Sequence, residues 1–250
     1  MRKVIIVTGG SRGIGAATAV AAARAGYDVA FNYRADHAAA EAVADSITGL
    51  GRKALAMHAD LTSEADIKRM FREVDQELGP ATALVNNASA GEGPRRRLDD
   101  MEVESLSNLF GVNVVATLLC TREAVRRMST QGEGFDDGNA GGTIINVSCA
   151  PLASDGSRLG LDHIASKGAI EHVTRALAEE LSGEGIRVNA VRPRAESAKA
   201  SDDDDESDSL PPLDRATCEA IAEAIMRLIE DEGGADSGQI VDVERPGRTG

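Results

Sequence analysis

Val4-Ile5-Ile6-Val7-Thr8-Gly9-Gly10-Ser11-Arg12-Gly13-Ile14-Gly15 is the stretch that decides the fold. Four apolar residues rich in β-branching predict a strand, and Gly9–Gly10 end it. An Ala-rich stretch from about Ile14 to Ala25 predicts a helix, with Gly26 in the C-cap position. Glycines at such a strand-to-helix junction let the backbone turn sharply and approach a pyrophosphate. The negative charge then sits on the helix N-terminus. A glycine string alone says little; the strand before it and the helix after it give it meaning. Gly9, Ser11, Arg12, Gly13, Ile14 and Gly15 are therefore candidate dinucleotide contacts.

Outward from this unit, strand and helix alternate. Strands are predicted at Tyr27–Tyr33, Ala54–Ala59, Ala83–Asn86, Thr143–Ser148, Arg187–Val191 and Gln239–Val243. Between them lie helices at Ala38–Leu50, Glu64–Leu78 (capped by Thr62 or Ser63), Leu98–Met128 for the most part, Leu161–Leu181 and Leu213–Glu230. Short apolar strands separated by helices imply a single α/β domain, doubly wound in the Rossmann manner. Its parallel sheet of about seven strands is covered on both faces. Gln131–Gly142 and the run Ser201–Ser209, with six acids in nine residues, read as polar loops.

The 250-residue composition excludes several functions. Asp and Glu outnumber Lys and Arg by 41 to 27, a formal charge of −14, and aromatic residues make up only 2 %. Neither a cationic grip on nucleic acid nor an aromatic stacking platform fits that balance. Cys120, Cys149 and Cys218 are too widely spaced for a disulfide framework or a zinc pattern. No membrane span or signal sequence is expected, which points to a cytoplasmic protein. His37, His58 and His172 read as unclustered surface or helix residues.

An NAD site usually places an acid on the ribose hydroxyls about 20 residues past the glycines. Here the second strand ends Phe31-Asn32-Tyr33-Arg34, with no acid at its tip. Arg34 and Arg12 are instead suited to a 2′-phosphate, which favours NADP(H) over NAD(H).

These residues resemble the short-chain dehydrogenase/reductase family along nearly the whole chain, closest to its glucose-dehydrogenase-like and 3-oxoacyl-reductase-like members. The motif Thr8-Gly-Gly-Ser-Arg-Gly-Ile-Gly15 follows the family's glycine spacing. Asp60-Leu61 resembles its adenine contact, and Asn86-Asn87-Ala88 its Asn-Asn-Ala segment, with Ser89 where Gly is usual. Asn113 matches the tetrad Asn, Ala165-Ser166-Lys167-Gly168-Ala169 the end of the active-site helix motif, and Arg187-Val188-Asn189 the approach to the sixth strand. Pro193-Arg194 stands where Pro-Gly is usual. The resemblance implies cofactor contacts at Tyr33, Asp60, Leu61, Asn87, Ala88, Lys167 and Pro193. It also implies hydride transfer between NADP(H) and a carbonyl or alcohol, and a homodimer or homotetramer.

The family's proton donor is a Tyr four residues before the Lys, and its oxygen-holding Ser ends the fifth strand. Counting back from Lys167 gives His163, and the only tyrosines are Tyr27 and Tyr33. Val147-Ser148-Cys149 puts Cys149 in the Ser position, unless a one-residue slip restores Ser148. The implied catalytic set is thus Asn113, Cys149, His163 and Lys167. Neutral imidazole can act as an acid, and its pKa should fall beside Lys167. A thiol donates weakly. Three readings follow: an oxidoreductase with an altered acid, a silent NADP(H)-binding sensor or partner of an active homologue, and Cys149/His163 thiol chemistry. The acidic run would repel an anionic acyl carrier, so a neutral or cationic small-molecule substrate is expected.

Overall fold

Residues 3–90, 97–131, 141–149, 160–194, 213–231 and 236–244 are described by the computed structural model. The acidic run and most of the Gln131–Gly142 loop lie outside them. In chain order the elements are β1 (Val4–Val7), α1 (Gly13–Arg24), β2 (Asp28–Tyr33), α2 (His37–Gly49), β3 (Ala54–His58), α3 (Glu64–Glu77) and β4 (Ala83–Asn86). After them come a short 3-10 turn (Leu98–Asp100), α4 (Val103–Phe110), a π-turn (Gly111–Val115) and α5 (Ala116–Met128). The last elements are β5 (Gly142–Val147), α6 (Leu161–Glu180), β6 (Ile186–Pro193), α7 (Arg215–Glu230) and β7 (Ile240–Val243).

The strands form one seven-stranded sheet in the order β3-β2-β1-β4-β5-β6-β7. Every pairing is parallel. Strand order reverses between β1 and β4, and such a switch point opens a crevice beyond the strand C-termini.

Strand alternation explains the two-layered core. Along β1, Val4 and Ile6 join Met70, Phe71, Ala124 and Met128 on the α3–α5 face. Ile5 and Val7 join Ala19, Ile47, Ile221 and Ile225 on the α1–α2–α7 face. All four β1 side chains are fully buried, and each such burial is worth about 1.5–3 kcal/mol. The α3 stripe Ile67, Met70, Phe71 and Val74 is buried at helical spacing. Asn86 and Asn146 form a polar seam here: Asn86 Nδ2 donates to Asn146 Oδ1 at 2.9 Å and to Thr121 Oγ1 at 3.1 Å. Asn146 Nδ2 donates in turn to Thr174 Oγ1 at 2.9 Å.

Of the two caps expected for α3, Ser63 serves, accepting from Asp66 N, because Thr62 is drawn back to Asp60. Other boundaries differ from expectation for local reasons. Asp214 caps α7, which starts two residues later than expected. The Leu98–Met128 helix divides into four parts, since extended Met101 and Glu102 part the 3-10 turn from α4 and the π-turn interrupts the rest. Contrary to the sequence expectation, Val103–Met128 is long and apolar enough by composition to cross a membrane. In the fold its α5 part lies on the sheet through Ala116, Cys120, Ala124 and Met128, the packing of a core helix.

Candidate active site

The crevice is built on the exits of β1 and β4, which Thr8 stitches together. Its Oγ1 accepts from Asn87 N at 2.9 Å and Ala88 N at 3.0 Å. Asn87 Nδ2 donates to the carbonyls of Thr8 and Gly9, at 2.9 and 3.1 Å. Gly9 has φ +66°, a left-handed conformation natural to glycine. Its N–H donates to Asn32 Oδ1 at 2.8 Å, while Asn32 Nδ2 donates to the Ala59 carbonyl at 3.1 Å. Asn32 thereby braces the loop from the neighbouring strand.

Gly15 is required by close approach. A Cβ there would lie 2.2 Å from the Gly9 carbonyl oxygen and 2.5 Å from Asn87 Nδ2. Ser11, exposed Arg12, Gly13 and Ile14 line the turn into α1. That helix has no side-chain N-cap and no acid in its first turn. Its leading N–H groups and positive dipole end therefore face the crevice uncompensated, the donor set a phosphate group needs.

On the far side of the loop stand Tyr33 and exposed Arg34. Asp60 Oδ1 accepts from Thr62 N and Thr62 Oγ1, at 2.9 and 2.8 Å. These bonds hold its carboxyl below the usual range, with Arg34 and His58 adding to the effect. Leu61 beside it is buried. His37 and His58 are not isolated as expected: both flank Tyr33, because strand register and the start of α2 bring them there. His172 does stand apart from them, on exposed α6 surface, bonded to the Gly168 carbonyl. Among the described residues no group of His, Cys, Asp or Glu is arranged to hold a metal ion.

At the other end, the π-turn carries buried Asn113. Asn113 Oδ1 accepts from Ala90 N at 2.7 Å, and Nδ2 donates to Ala90 O at 3.2 Å and Ser166 Oγ at 3.0 Å. Ser166 Oγ donates onward to the His163 carbonyl at 2.8 Å. One turn along α6, buried Lys167 donates from Nζ to the Val147 carbonyl at 3.0 Å. Asn113, His163 and Lys167 are thus gathered over the end of β5. Pro193 closes β6 nearby in the sheet, and Arg194 pairs with Asp242 at 3.2 Å.

His163 is 7 % exposed. Burial first, and Lys167 second, hold its pKa below the ordinary histidine value; the Ala90 backbone and Asp162 oppose them. The ring is therefore neutral near pH 7, and its Nδ1 has no hydrogen-bond partner among the described residues. The Cys149 thiol is pushed up by burial and by Glu171, against the pull of Lys167. A protonated thiol results, so the site opposes the activated thiolate that the Cys149/His163 reading requires. Ser148 follows the end of β5 and is released from strand alternation. Its hydroxyl is nonetheless occupied: Oγ donates to Glu171 Oε1 at 2.8 Å.

Thr8, Asn32, Ala90, Ser166 and Glu171 support this site and escaped the candidate set. Asn32 had a signal, a polar residue inside an apolar strand. Glu171 had none, since its partner is set by how α6 lies against β5.

Comparison with known proteins places this architecture. The family model for short chain dehydrogenases matches residues 3–207. An uncharacterized oxidoreductase of Escherichia coli is 37 % identical over 252 residues, covering 96 % of this chain and 98 % of that protein. An NADPH-dependent aldehyde reductase of Arabidopsis thaliana, chloroplastic, is 33 % identical over 202 residues, covering 76 % of this chain and 71 % of its own length. Among solved structures, a short chain dehydrogenase from Burkholderia cenocepacia in complex with NADP has a TM-score of 0.78 at 28 % identity, covering 97 % of this chain and 96 % of that one.

Proposed function

Because the chain belongs to the short-chain dehydrogenase family, we propose that it is an NADP(H)-dependent oxidoreductase interconverting a carbonyl and an alcohol, with His163 and Cys149 in place of the family's Tyr and Ser. The observation that carries the nucleotide half is the cradle at Gly15, where any side chain would collide with Gly9 and Asn87. Beside it lies a helix N-terminus free of acids. Gly9, Ser11, Arg12, Gly13, Ile14 and Gly15 hold the pyrophosphate. Tyr33, Arg34, Asp60 and Leu61 hold the adenosine end, with Arg34 and Arg12 on a 2′-phosphate. Asn87, Ala88, Lys167 and Pro193 hold the nicotinamide end. When bound, NADPH supplies the hydride for carbonyl reduction.

The chain's own residues manage the proton. In neutral His163 the ring nitrogen that meets the Ala90 carbonyl carries the hydrogen and Nδ1 keeps the lone pair. The ring therefore takes a proton from an alcohol at Nδ1 and, when it holds that proton, gives it to a substrate oxygen. Burial, and after it the charge of Lys167, keeps the ring neutral. Asn113 fixes the segment after β4 by clasping both polar groups of Ala90, so that the wall opposite His163 stays in place. Cys149 supplies only a weak donor to the oxygen. Loss of an oxyanion donor costs about 3–4 kcal/mol of transition-state stabilisation, so slow turnover follows.

A second reading is favoured by Ser148. Its hydroxyl is taken by Glu171, which leaves the oxygen-holding position to the thiol while the nucleotide half is complete. On this reading the chain binds NADP(H) without turnover, as a sensor or as the partner of an active homologue. Exposed Val115 and Leu118 on one stretch of helix suit assembly with a second copy or such a homologue. The test is NADPH consumption over a panel of neutral carbonyl compounds, comparing the natural chain with the Cys149→Ser/His163→Tyr double variant. Turnover by the natural chain supports the altered-acid enzyme. Turnover by the double variant alone supports the silent binder.

A further inference from the structure

Tyr33 ends β2 between two histidines. Parallel register sets it opposite His58 on β3, and the rings meet at 5.7 Å, nearly edge-on at 67°. From the other side His37, the first residue of α2, brings its ring to 5.6 Å and its Nδ1 to 2.7 Å from the Tyr33 hydroxyl. His37 Nε2 lies 3.2 Å from Glu41 Oε1. A carboxylate only accepts, so Nε2 carries the hydrogen, and in the neutral ring Nδ1 accepts from Tyr33.

His58 reaches past Tyr33: its Nε2 donates to the Arg34 carbonyl at 2.9 Å. His58 is itself anchored, since Arg69 Nη2 donates to its carbonyl at 2.8 Å. Arg34 and His58 both draw the Asp60 carboxyl down, which places the three groups within electrostatic reach of one another. Arg34 is exposed and lies just beyond β2, in the bend before α2. Without a tether, an exposed corner spreads its guanidinium over many positions, and ordering it on a ligand costs entropy. A side chain from the next strand supplies that tether.

We infer that His58 is a positioning residue for the choice of NADP(H): by gripping the Arg34 carbonyl it fixes the corner from which the Arg34 guanidinium meets a 2′-phosphate, with the Tyr33–His37 pair bracing the other side. The inference rests on the NADP(H) reading above. His58 needs no contact with the nucleotide; it acts through Arg34.

The test is calorimetric binding of adenosine 2′,5′-bisphosphate and of ADP, which lacks the 2′-phosphate. The natural chain is compared with His58→Ala, His58→Gln, Arg34→Gln and the His58→Ala/Arg34→Gln double variant. The natural chain prefers the bisphosphate. His58→Ala loses about three- to tenfold of that preference, the worth of one hydrogen bond, with ADP affinity unchanged. His58→Gln, which keeps an N–H donor and serves if the Ala variant folds poorly, restores much of it. In the Arg34→Gln background, His58→Ala has no further effect. Equal loss for both ligands, or an unchanged preference in His58→Ala, overturns the positioning role and leaves the cofactor reading standing. A natural chain that binds both ligands alike overturns the cofactor reading, and this inference with it.

Discussion

Ser148 Oγ donates to Glu171 Oε1 at 2.8 Å, across the gap between the end of β5 and the third turn of α6. Glu171 Oε2 is engaged by Arg192 from β6 at 3.4 Å, and Arg192 by Asp242 on β7 at 2.6 Å. The hydroxyl nearest the expected oxygen-holding position is therefore part of the scaffold. Ser148→Ala should cost about 1–3 kcal/mol of stability, as loss of a buried bond to a charged acceptor does. It should leave the turnover of the Cys149→Ser/His163→Tyr chain unchanged. Urea denaturation and the NADPH assay check the two halves; a collapse of turnover would return Ser148 to the catalytic set.

Gly15→Ala forces a methyl against the Gly9 carbonyl and Asn87 Nδ2, both of which hold the loop. Backbone and a doubly bonded amide cannot step aside cheaply, so the variant should lose about 1–3 kcal/mol of stability. Its NADP+ affinity should fall at least tenfold in a fluorescence titration. Affinity equal to that of the natural chain would show that the cradle closes around nothing.

His163 gives a pH signature. Its folded pKa lies below the ordinary 6.5, through burial and then Lys167. Below about pH 6.5 the unfolded chain binds a proton here that the folded chain refuses. Stability should therefore fall with acidification from that point until the lowered folded value is reached. His163→Gln should flatten this part of the profile, measured as urea midpoints between about pH 7 and about pH 5. Parallel profiles for the two chains would remove His163 as the source.

The thiols should differ from free cysteine in rate. Burial pushes Cys149 up, and Cys120 to about 12. Iodoacetamide followed by mass spectrometry at about pH 7.5 should label Cys149 more slowly than free cysteine and leave Cys120 untouched in the folded chain. Faster labelling of Cys149 would revive thiol chemistry at this site.

What the sequence disclosed depended on range. The β1–glycine–α1 unit is a local pattern, and its glycines, strand and helix all lie where their own chemistry puts them. Asn113 and Lys167 are assigned by the family resemblance, Lys167 through the run Ala165-Ser166-Lys167-Gly168-Ala169. His37 and His58 were read as solitary because their meeting at Tyr33 depends on the register of β2 against β3, which no single stretch contains. Ser148 was ambiguous for a related reason: its bond to Glu171 exists only once α6 is laid across β5. The π-turn was invisible, since Gly111-Val-Asn-Val-Val115 keeps the apolar character of the helix around it.

That π-turn has a consequence for how the molecule can change. Each residue of an α-helix advances about 100° around the axis, so one surplus residue in a widened turn re-phases everything that follows. The turn itself holds Asn113 toward the crevice; downstream of it the phase serves Ala116, Cys120, Ala124 and Met128 against the sheet. The surplus residue works as a clutch between these two surfaces. Deleting Gly111, Val112, Val114 or Val115 would couple them again and swing either Asn113 or the core stripe away from its partners. A lineage carrying the turn can vary the wall of its crevice while the packing beneath keeps its phase.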